Sequence, residues 1–385
     1  MTTLPLKSQF TGAVTNGERK AAEEQLLDFL AQYLPEDGSP IPLGNIVEIL
    51  AEHVTYTPSG NITATDMQDA LTELAGRIVE NPSYRNKLIN GGFDIWQRGT
   101  SQTSNGYGSA DRWRCNHVGS TKTVTRQTFA FGQIEVPGNP IYFMRTIVNS
   151  VAGAGNRCNL YQLIENVLAS SDRTFTLSFW AKADSTKNIA IEFGQTFGTS
   201  GSPDISGIDV TTIQLTTTWE KYIIPVTFPS VSGKTINSNN LYYVSFWFDA
   251  GSNYDSVTNS LGQQSGTFDI AQVQLEEGSV ATPFEQRPYG LELMLCQRYF
   301  WKIQGGINVV GYATGPGNQA YQTLIFPVTM RAVPTTTNSW FNSANASSQN
   351  VVAITANYSQ VMVTAAGVGL FYATYSPNNT FDAEL

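Results

Sequence analysis

Charge is scarce in this 385-residue chain: Asp, Glu, Lys and Arg make up 14% of it, where folded proteins usually carry about a quarter. A chain that still holds 41% hydrophobic residues has enough apolar material for at least one sizeable core. Its water-facing side must then be built from Thr, Ser, Asn and Gln, a surface common on extracellular β structures and unusual for a metabolic enzyme. What charge there is leans acidic, with a formal net charge of −9 and a pI near 4.8. No phosphate-neutralising field results, so nucleic acid is not an expected partner. No apolar run reaches eighteen residues, and no cationic stretch leads into an apolar one near residue 1. Neither membrane insertion nor an export signal is expected. A secreted-looking surface without an export signal points to assembly inside a cell and release by lysis.

Catalytic side chains are also few. His53 and His117 are the two histidines, without ligand-spaced partners of the HExxH kind, and they read as ordinary surface or loop residues. A serine triad would need one of them, and no GxSxG elbow is present. Cys115, Cys158 and Cys296 are odd in number and far apart, forming neither a disulfide framework nor a CxxC pair; they read as buried reduced thiols. The strings GAGN and GPGN lack the lysine and the strand-to-helix context of a phosphate cradle and read as turns. Paired carboxylates for glycoside hydrolysis need only meet in space. Glu276 and Glu277 are adjacent, so on a strand they point to opposite faces. No catalytic residue is expected, and the chain is not read as an enzyme.

Three patterns follow one another. Residues 1–86 are helical in character: ERKAAEEQLLDFLAQYL places Ala22, Leu26, Phe29, Leu30, Tyr33 and Leu34 on one side. Residues 1–40 form that helical region, and 41–86 a linker ending in a short helix. There Thr65 caps, and Met67, Leu71, Leu74 and Ile78 form an apolar seam. A seam this short is marginal alone; it serves oligomerisation beside a larger interface, or packs on its own chain. From 87 to 290 the pattern turns β, with turn residues every eight to twelve positions. NGGFDIW, with its glycine turn and then aromatic and β-branched residues, predicts a first strand. Phe175, Leu177, Phe179 and Ala181 alternate with Thr174, Thr176, Ser178, Trp180 and Lys182. Ile189, Ile191 and Phe193 share a face. So do Tyr222, Ile224, Val226 and Phe228, with Pro225 marking an edge or bulge. Tyr242, Val244, Phe246 and Phe248 turn inward, against Tyr243, Ser245, Trp247 and Asp249. At least eight strands in two facing sheets are expected. Residues 291–385 open with a short amphipathic helix and continue as small Thr- and Ala-rich strands. That region is expected to lean on its neighbour or on its own copies, being too polar for a large private core.

Several of these stretches carry a resemblance. LINGGFDIWQRGTS, SADRWR, FTLSFWAKAD, FWFDAGS, SGTFDIAQVQLEEGSVATPFEQRPYGLEL and CQRYF resemble tail fibre and related tail proteins of tailed bacteriophages. VTYTPSGNITATDMQDALTELAGRI resembles the linker repeat of such fibres, and YSPNNTFDAEL their usual ending. The resemblance covers nearly the whole chain from residue 54. It implies a mainly β fold: a jelly-roll β-sandwich similar to carbohydrate-binding modules, preceded by a helical and short coiled-coil region and followed by a small C-terminal β domain. It also implies a homotrimer made in the host cytoplasm and carried on the virion. Residues 1–40 would attach to tail or baseplate proteins, and the β domains would meet a host surface polysaccharide or other receptor. Two rivals stay open. One is a structural tail, baseplate or collar component; the other is a depolymerising tailspike, which lacks support because no β-helix period appears.

Sugars are held by aromatic faces with polar groups at the rim. Candidates are aromatics on the polar face of a strand: Trp180 with Lys182, and Trp247 with Tyr243 and Asp249, Lys182 or Asp249 supplying the rim. A Trp there can instead be covered by a loop, by the N-terminal strand or by a trimer partner. Trp96 and Trp113 read as core. Trp340 and Phe341, in a polar loop, are candidate receptor contacts. Sugar-binding jelly rolls often carry a structural calcium on oxygen ligands. Asp94 and Glu277 are the candidates for it, and no other cofactor is expected.

Overall fold

The computed structural model describes residues 84–385. The two expected helices, and the seam Met67, Leu71, Leu74 and Ile78, lie outside the described residues. From Ser101 onward, period-two alternation builds two antiparallel six-stranded sheets, with strands numbered in chain order. The first sheet runs β1 (Ser101–Gln102), β4 (Thr121–Thr128), β5 (Tyr142–Asn149), β12 (Gly266–Glu277), β7 (Arg173–Ala183), β10 (Glu220–Phe228). The second runs β2 (Gly106–Tyr107), β3 (Arg114–Val118), β6 (Arg157–Glu165), β11 (Leu241–Ala250), β8 (Lys187–Thr196), β9 (Ile205–Leu215). Together they make the jelly-roll sandwich that the alternation predicts.

The core is the set of inward positions. Phe175, Leu177 and Phe179 of β7 and Ile224, Val226 and Phe228 of β10 meet Ile189, Ile191 and Phe193 of β8 and Tyr242, Val244 and Phe246 of β11. None of these is more than 3% exposed. Edge-to-face contacts, such as Phe179 on Phe246 at 5.1 Å between ring centroids, add to a burial worth about 1.5–3 kcal/mol per large side chain. Pro225 lies on β10 at the edge of its sheet, where the missing N–H costs no inner ladder bond. All three cysteines are buried free thiols.

The expected first strand at NGGFDIW is not a strand. Asn90 and Phe93 have φ of 59° and 58°, a left-handed backbone outside the region of a regular strand. The Asn90 side chain causes it, accepting from Ile95 N at 3.0 Å and donating to Ile95 O at 2.8 Å and Asp111 O at 3.0 Å. This looped plug seats Phe93, Ile95 and Trp113 in full burial. It also covers the stretch of β12 beyond the reach of β5, which pairs with β12 only as far as Ile270. There Lys87 N donates to Leu275 O at 2.8 Å and Val273 N to Gly91 O at 2.9 Å. Gly91 is required, since a Cβ there would stand 2.0 Å from Val273 O.

Residues 289–385 begin with α2 (Tyr289–Gln297), following a single-turn α1 (Asp255–Thr258) in the sandwich. Three small antiparallel sheets follow. They are β13 (Phe300–Lys302), β21 (Thr380–Asp382) and β16 (Thr335–Thr336); β14 (Ile307–Ala313), β20 (Gly369–Tyr375) and β17 (Trp340–Ala344); and β15 (Gln319–Ile325), β19 (Tyr358–Ala365) and β18 (Ala346–Ile354). This region has a small core of its own beside the larger one of the sandwich. Val309, Phe326, Val361, Val363, Phe371 and Phe381 pack within it, because alternating Val, Ala and Phe close a small volume without long side chains.

It leans on the sandwich as well, through ions. Arg112, 1% exposed, pairs with Glu384, donates to Leu163 O at 2.7 Å and lies 3.5 Å over the Tyr299 ring. Arg98 lies 3.6 Å over Phe300 and reaches Asp382 at 3.2 Å and Glu384 at 3.1 Å. Among the described residues no helix is long and apolar enough to cross a membrane.

Candidate functional site

The outward residues of the second sheet form a groove of 420 Å³. Strand register lays its side chains in rows. Arg114, Tyr161, Ser245 and Glu192 stand side by side across β3, β6, β11 and β8. The next row is Asn116, Asn159, Trp247 and Ala190, and on the other flank Leu163, Tyr243 and Gly194 align. Gly194 has a physical reason: a Cβ would meet the Tyr243 ring at 2.3 Å, so its absence lets that ring lie across β8. Tyr254, at the start of α1, walls one end with its ring 5.3 Å from that of Trp247.

Beneath the aromatics lies Glu192, 3% exposed. Its carboxylate accepts from Trp247 Nε1 at 2.8 Å, Tyr243 OH at 3.0 Å and Gly207 N at 3.1 Å. Burial pushes its pKa up, and the bonds from Trp247 and Tyr243 pull it back. Among the described residues Glu192 is the single carboxylate lining the groove, and it is spent on fixing two rings. The walls are polar and pre-set: Asn116 Nδ2 donates to Tyr161 OH at 2.9 Å and Asn159 Nδ2 to Ser245 Oγ at 3.1 Å. Arg157 lies 4.9 Å over Tyr254, and Arg114 lies 5.5 Å over Tyr161. Rigid aromatic faces beside amides and guanidinium groups suit a hydroxyl-rich ring with an apolar face.

Of the candidates read from sequence, Tyr243 and Trp247 meet in this groove. Trp247 is only 4% exposed and serves as its floor; the rings with more open surface are Tyr161, Tyr243 and Tyr254. Trp180 and Lys182 do not join them, because β7 belongs to the first sheet. On that sheet's outer face Trp180 packs with Val136, Phe143 and Trp219, and Lys182 lies 5.2 Å over Trp219. Asp249 is no rim residue. A bulge between Trp247 and Asp249 shifts the register, and the carboxylate, 0% exposed, accepts from Ser120 Oγ at 2.6 Å, Ser150 Oγ at 2.7 Å and Gln264 N at 2.8 Å.

Trp340 and Phe341 lie on strand β17, not in a loop. Trp340 packs 4.9 Å from Tyr375, while Phe341 remains 43% exposed. Asp94 and Glu277, the calcium candidates, have different neighbours. Glu277 pairs with Arg173 at 3.1 Å, whereas Asp94 has its pKa raised by burial and then by Glu292. Among the described residues no group of three or more His, Cys, Asp or Glu is placed to hold a metal ion.

Sequence reasoning passed over Arg114, Arg157, Asn159, Tyr161, Glu192 and Tyr254. The signal for three of them was present: Arg157, Asn159 and Tyr161, continued by Leu163, alternate with Cys158, Leu160, Gln162 and Ile164 in RCNLYQLIE.

No protein-family profile matches the chain, and no curated protein is similar to it. Several solved structures overlap about half of it. A family 11 carbohydrate-binding module from Clostridium thermocellum, in complex with a β-1,3-1,4-mixed-linked tetrasaccharide, is 13% identical, with 48% of this chain and 98% of that chain covered at a TM-score of 0.30. The CBM22-2 xylan-binding domain from Paenibacillus barcinonensis is 17% identical, covering 43% and 91% at a TM-score of 0.28. The enzymatically active domain of tailspike protein 4 of bacteriophage CBA120 is 18% identical, covering 50% of this chain but 22% of that one, at a TM-score of 0.30. These overlaps are loose, and the two-sheet fold rests on its own strand pairing.

Proposed function

We propose that this chain is a non-enzymatic saccharide-binding protein that holds its ligand in the groove of the second sheet. The observation that carries the reading is the groove itself: Tyr161, Tyr243 and Tyr254 fixed among Asn116, Asn159 and two arginines, with its one carboxylate consumed by hydrogen bonds. Two free carboxylates facing one bond, as glycoside hydrolysis needs, are not among the groove's lining residues. Binding to a glycan array by the whole chain tests this. Tyr161→Ala and Tyr254→Ala are expected to lose retention about tenfold or more, in line with an aromatic contact. Trp180→Ala, on the other sheet, is expected to keep it. Retention unchanged in both tyrosine variants would overturn the site, and release of reducing ends from a bound polysaccharide would overturn the non-enzymatic part.

The finer reading is a phage tail fibre that meets a host surface polysaccharide as a homotrimer, attached to the virion by residues 1–40. It is supported by the motif resemblance and the low-charge surface. The rival, a structural virion component, is favoured by one observation: Val310, Tyr312 and Leu370 are each more than half exposed on the outer face of β14 and β20, an apolar face suited to a protein neighbour. Light scattering on the whole chain separates a trimer from a single 42.0 kDa chain.

A further inference from the structure

Most of the described arginines elsewhere are neutralised in place, Arg126, 4.5 Å over the Tyr142 ring, being an exception. Arg98, Arg112, Arg145, Arg173, Arg287 and Arg298 each meet a carboxylate within ion-pair distance. Arg114 and Arg157 have no such partner among the described residues, in a chain with 31 acidic and 22 basic side chains. Their Nε atoms are buried without a hydrogen-bond partner, as is Asn159 Oδ1 between them. Buried polar groups normally find partners. Arg112 and Arg287 also carry an unpartnered buried Nε, so what sets the groove apart is a pair of guanidinium groups without a carboxylate partner, with Asn159 Oδ1 open between them.

The two guanidinium groups are also held in place. Arg157 lies on Tyr254, and Arg114 lies between Tyr161 and Tyr107, at 5.5 and 5.8 Å from the two rings. A guanidinium fixed against a ring keeps its fork pre-organised, and that fork matches the two oxygens of a carboxylate or phosphate. Arg157 and Tyr161 are four positions apart on β6, and Arg114 stands opposite Tyr161. The backbone positions that carry the two cations are thus about 13 Å apart along the strand direction, with those of Asn116 and Asn159 between them. The opposing charge in the groove, Glu192, is buried and bound to three donors.

We infer that the groove selects a negatively charged saccharide, one whose anionic groups meet Arg114 and Arg157 while its sugar rings lie on the tyrosines; this rests on the saccharide reading above. Carboxylate-bearing sugars and phosphate- or sulfate-bearing sugars share the required chemistry. The test is an array that holds neutral, carboxylate-bearing and phosphate- or sulfate-bearing glycans, probed with the whole chain at low and high salt. Retention confined to anionic glycans and weakened by salt is expected. R114Q and R157Q should each weaken it by about ten- to a hundredfold, the worth of a charge-assisted hydrogen bond. The arm that retains the protein fixes the source of the charge. Equal retention on neutral glycans, insensitive to salt and unchanged in both variants, would overturn the anionic assignment and leave the saccharide reading standing. Retention on no glycan would overturn both. The salt dependence of the unaltered chain is a readout that needs no variant to fold.

Discussion

Removing the acceptor under the groove, Glu192→Ala, is expected to loosen the site and the fold together. The carboxylate receives Trp247 Nε1, Tyr243 OH and Gly207 N. Tyr243 can turn its hydroxyl toward the groove and find water. Trp247, 4% exposed, cannot follow, and the backbone N–H of Gly207 is fixed by β9. Each buried donor left without an acceptor costs about 1–3 kcal/mol. Relief of a desolvated carboxylate, whose pKa burial has already raised, offsets part of that sum. The net loss should be about 3 kcal/mol, a large share of the 5–15 kcal/mol typical of a domain. Glu192→Gln keeps one carbonyl oxygen and should lose about half as much. Urea denaturation followed by Trp fluorescence measures both, and saccharide retention should fall in parallel as Trp247 and Tyr243 lose their anchor. A loss under about 1 kcal/mol for the Ala variant would refute the view that this carboxylate fixes the rings.

Three further outcomes are expected. Asp94 has its pKa raised to about 6 by burial and by Glu292, above its ordinary 3.8, so the stability it lends is fully present below that ordinary value and is lost as pH rises through about 6. Asp94→Asn should then be more stable than the parent at pH above that range and equal to it at acid pH; thermal melts across pH show which, and an unchanged profile would refute it. Gly91→Ala must push the β12 carbonyl of Val273 away and should cost about 3 kcal/mol through lost buried hydrogen bonds; a melting temperature within error of the parent would contradict the close approach. Glu384→Ala leaves Arg112 buried without its counter-ion and should cost about 3–5 kcal/mol, read by urea denaturation, whereas a neutral result would show the pair to be dispensable.

Strand interiors were legible because alternation is a local property. The inward residues of β7, β8, β10 and β11 follow directly from period two, and Pro225 correctly marked an edge. Parity does not say which sheet a strand joins, however. Trp180 and Trp247 both stand on polar faces, yet they end on opposite outer surfaces because β7 and β11 lie in different sheets. The NGGF stretch misled for another reason: its composition suits a strand, while the Asn90 side chain competes with the ladder for backbone partners over five residues. Asp249 was displaced by a bulge, which leaves no mark in the alternation. The motifs LINGGFDIWQRGTS, SADRWR, RPYGLEL and CQRYF converge on one junction, where Asn90, Arg98, Asp111, Arg112, Glu292, Phe300 and Glu384 meet. Their meaning lies in contacts across the chain, which no local pattern displays.

That junction joins residues 286 and 272 positions apart, Arg98 and Arg112 each reaching Glu384. Loops of such length close slowly, and their entropy must be spent before the ion pairs form. Refolding from denaturant should therefore be governed by the arrival of the last few residues at the two arginines. Until then the sandwich holds a desolvated guanidinium without a counter-charge, so the two β regions should complete their folding as one event.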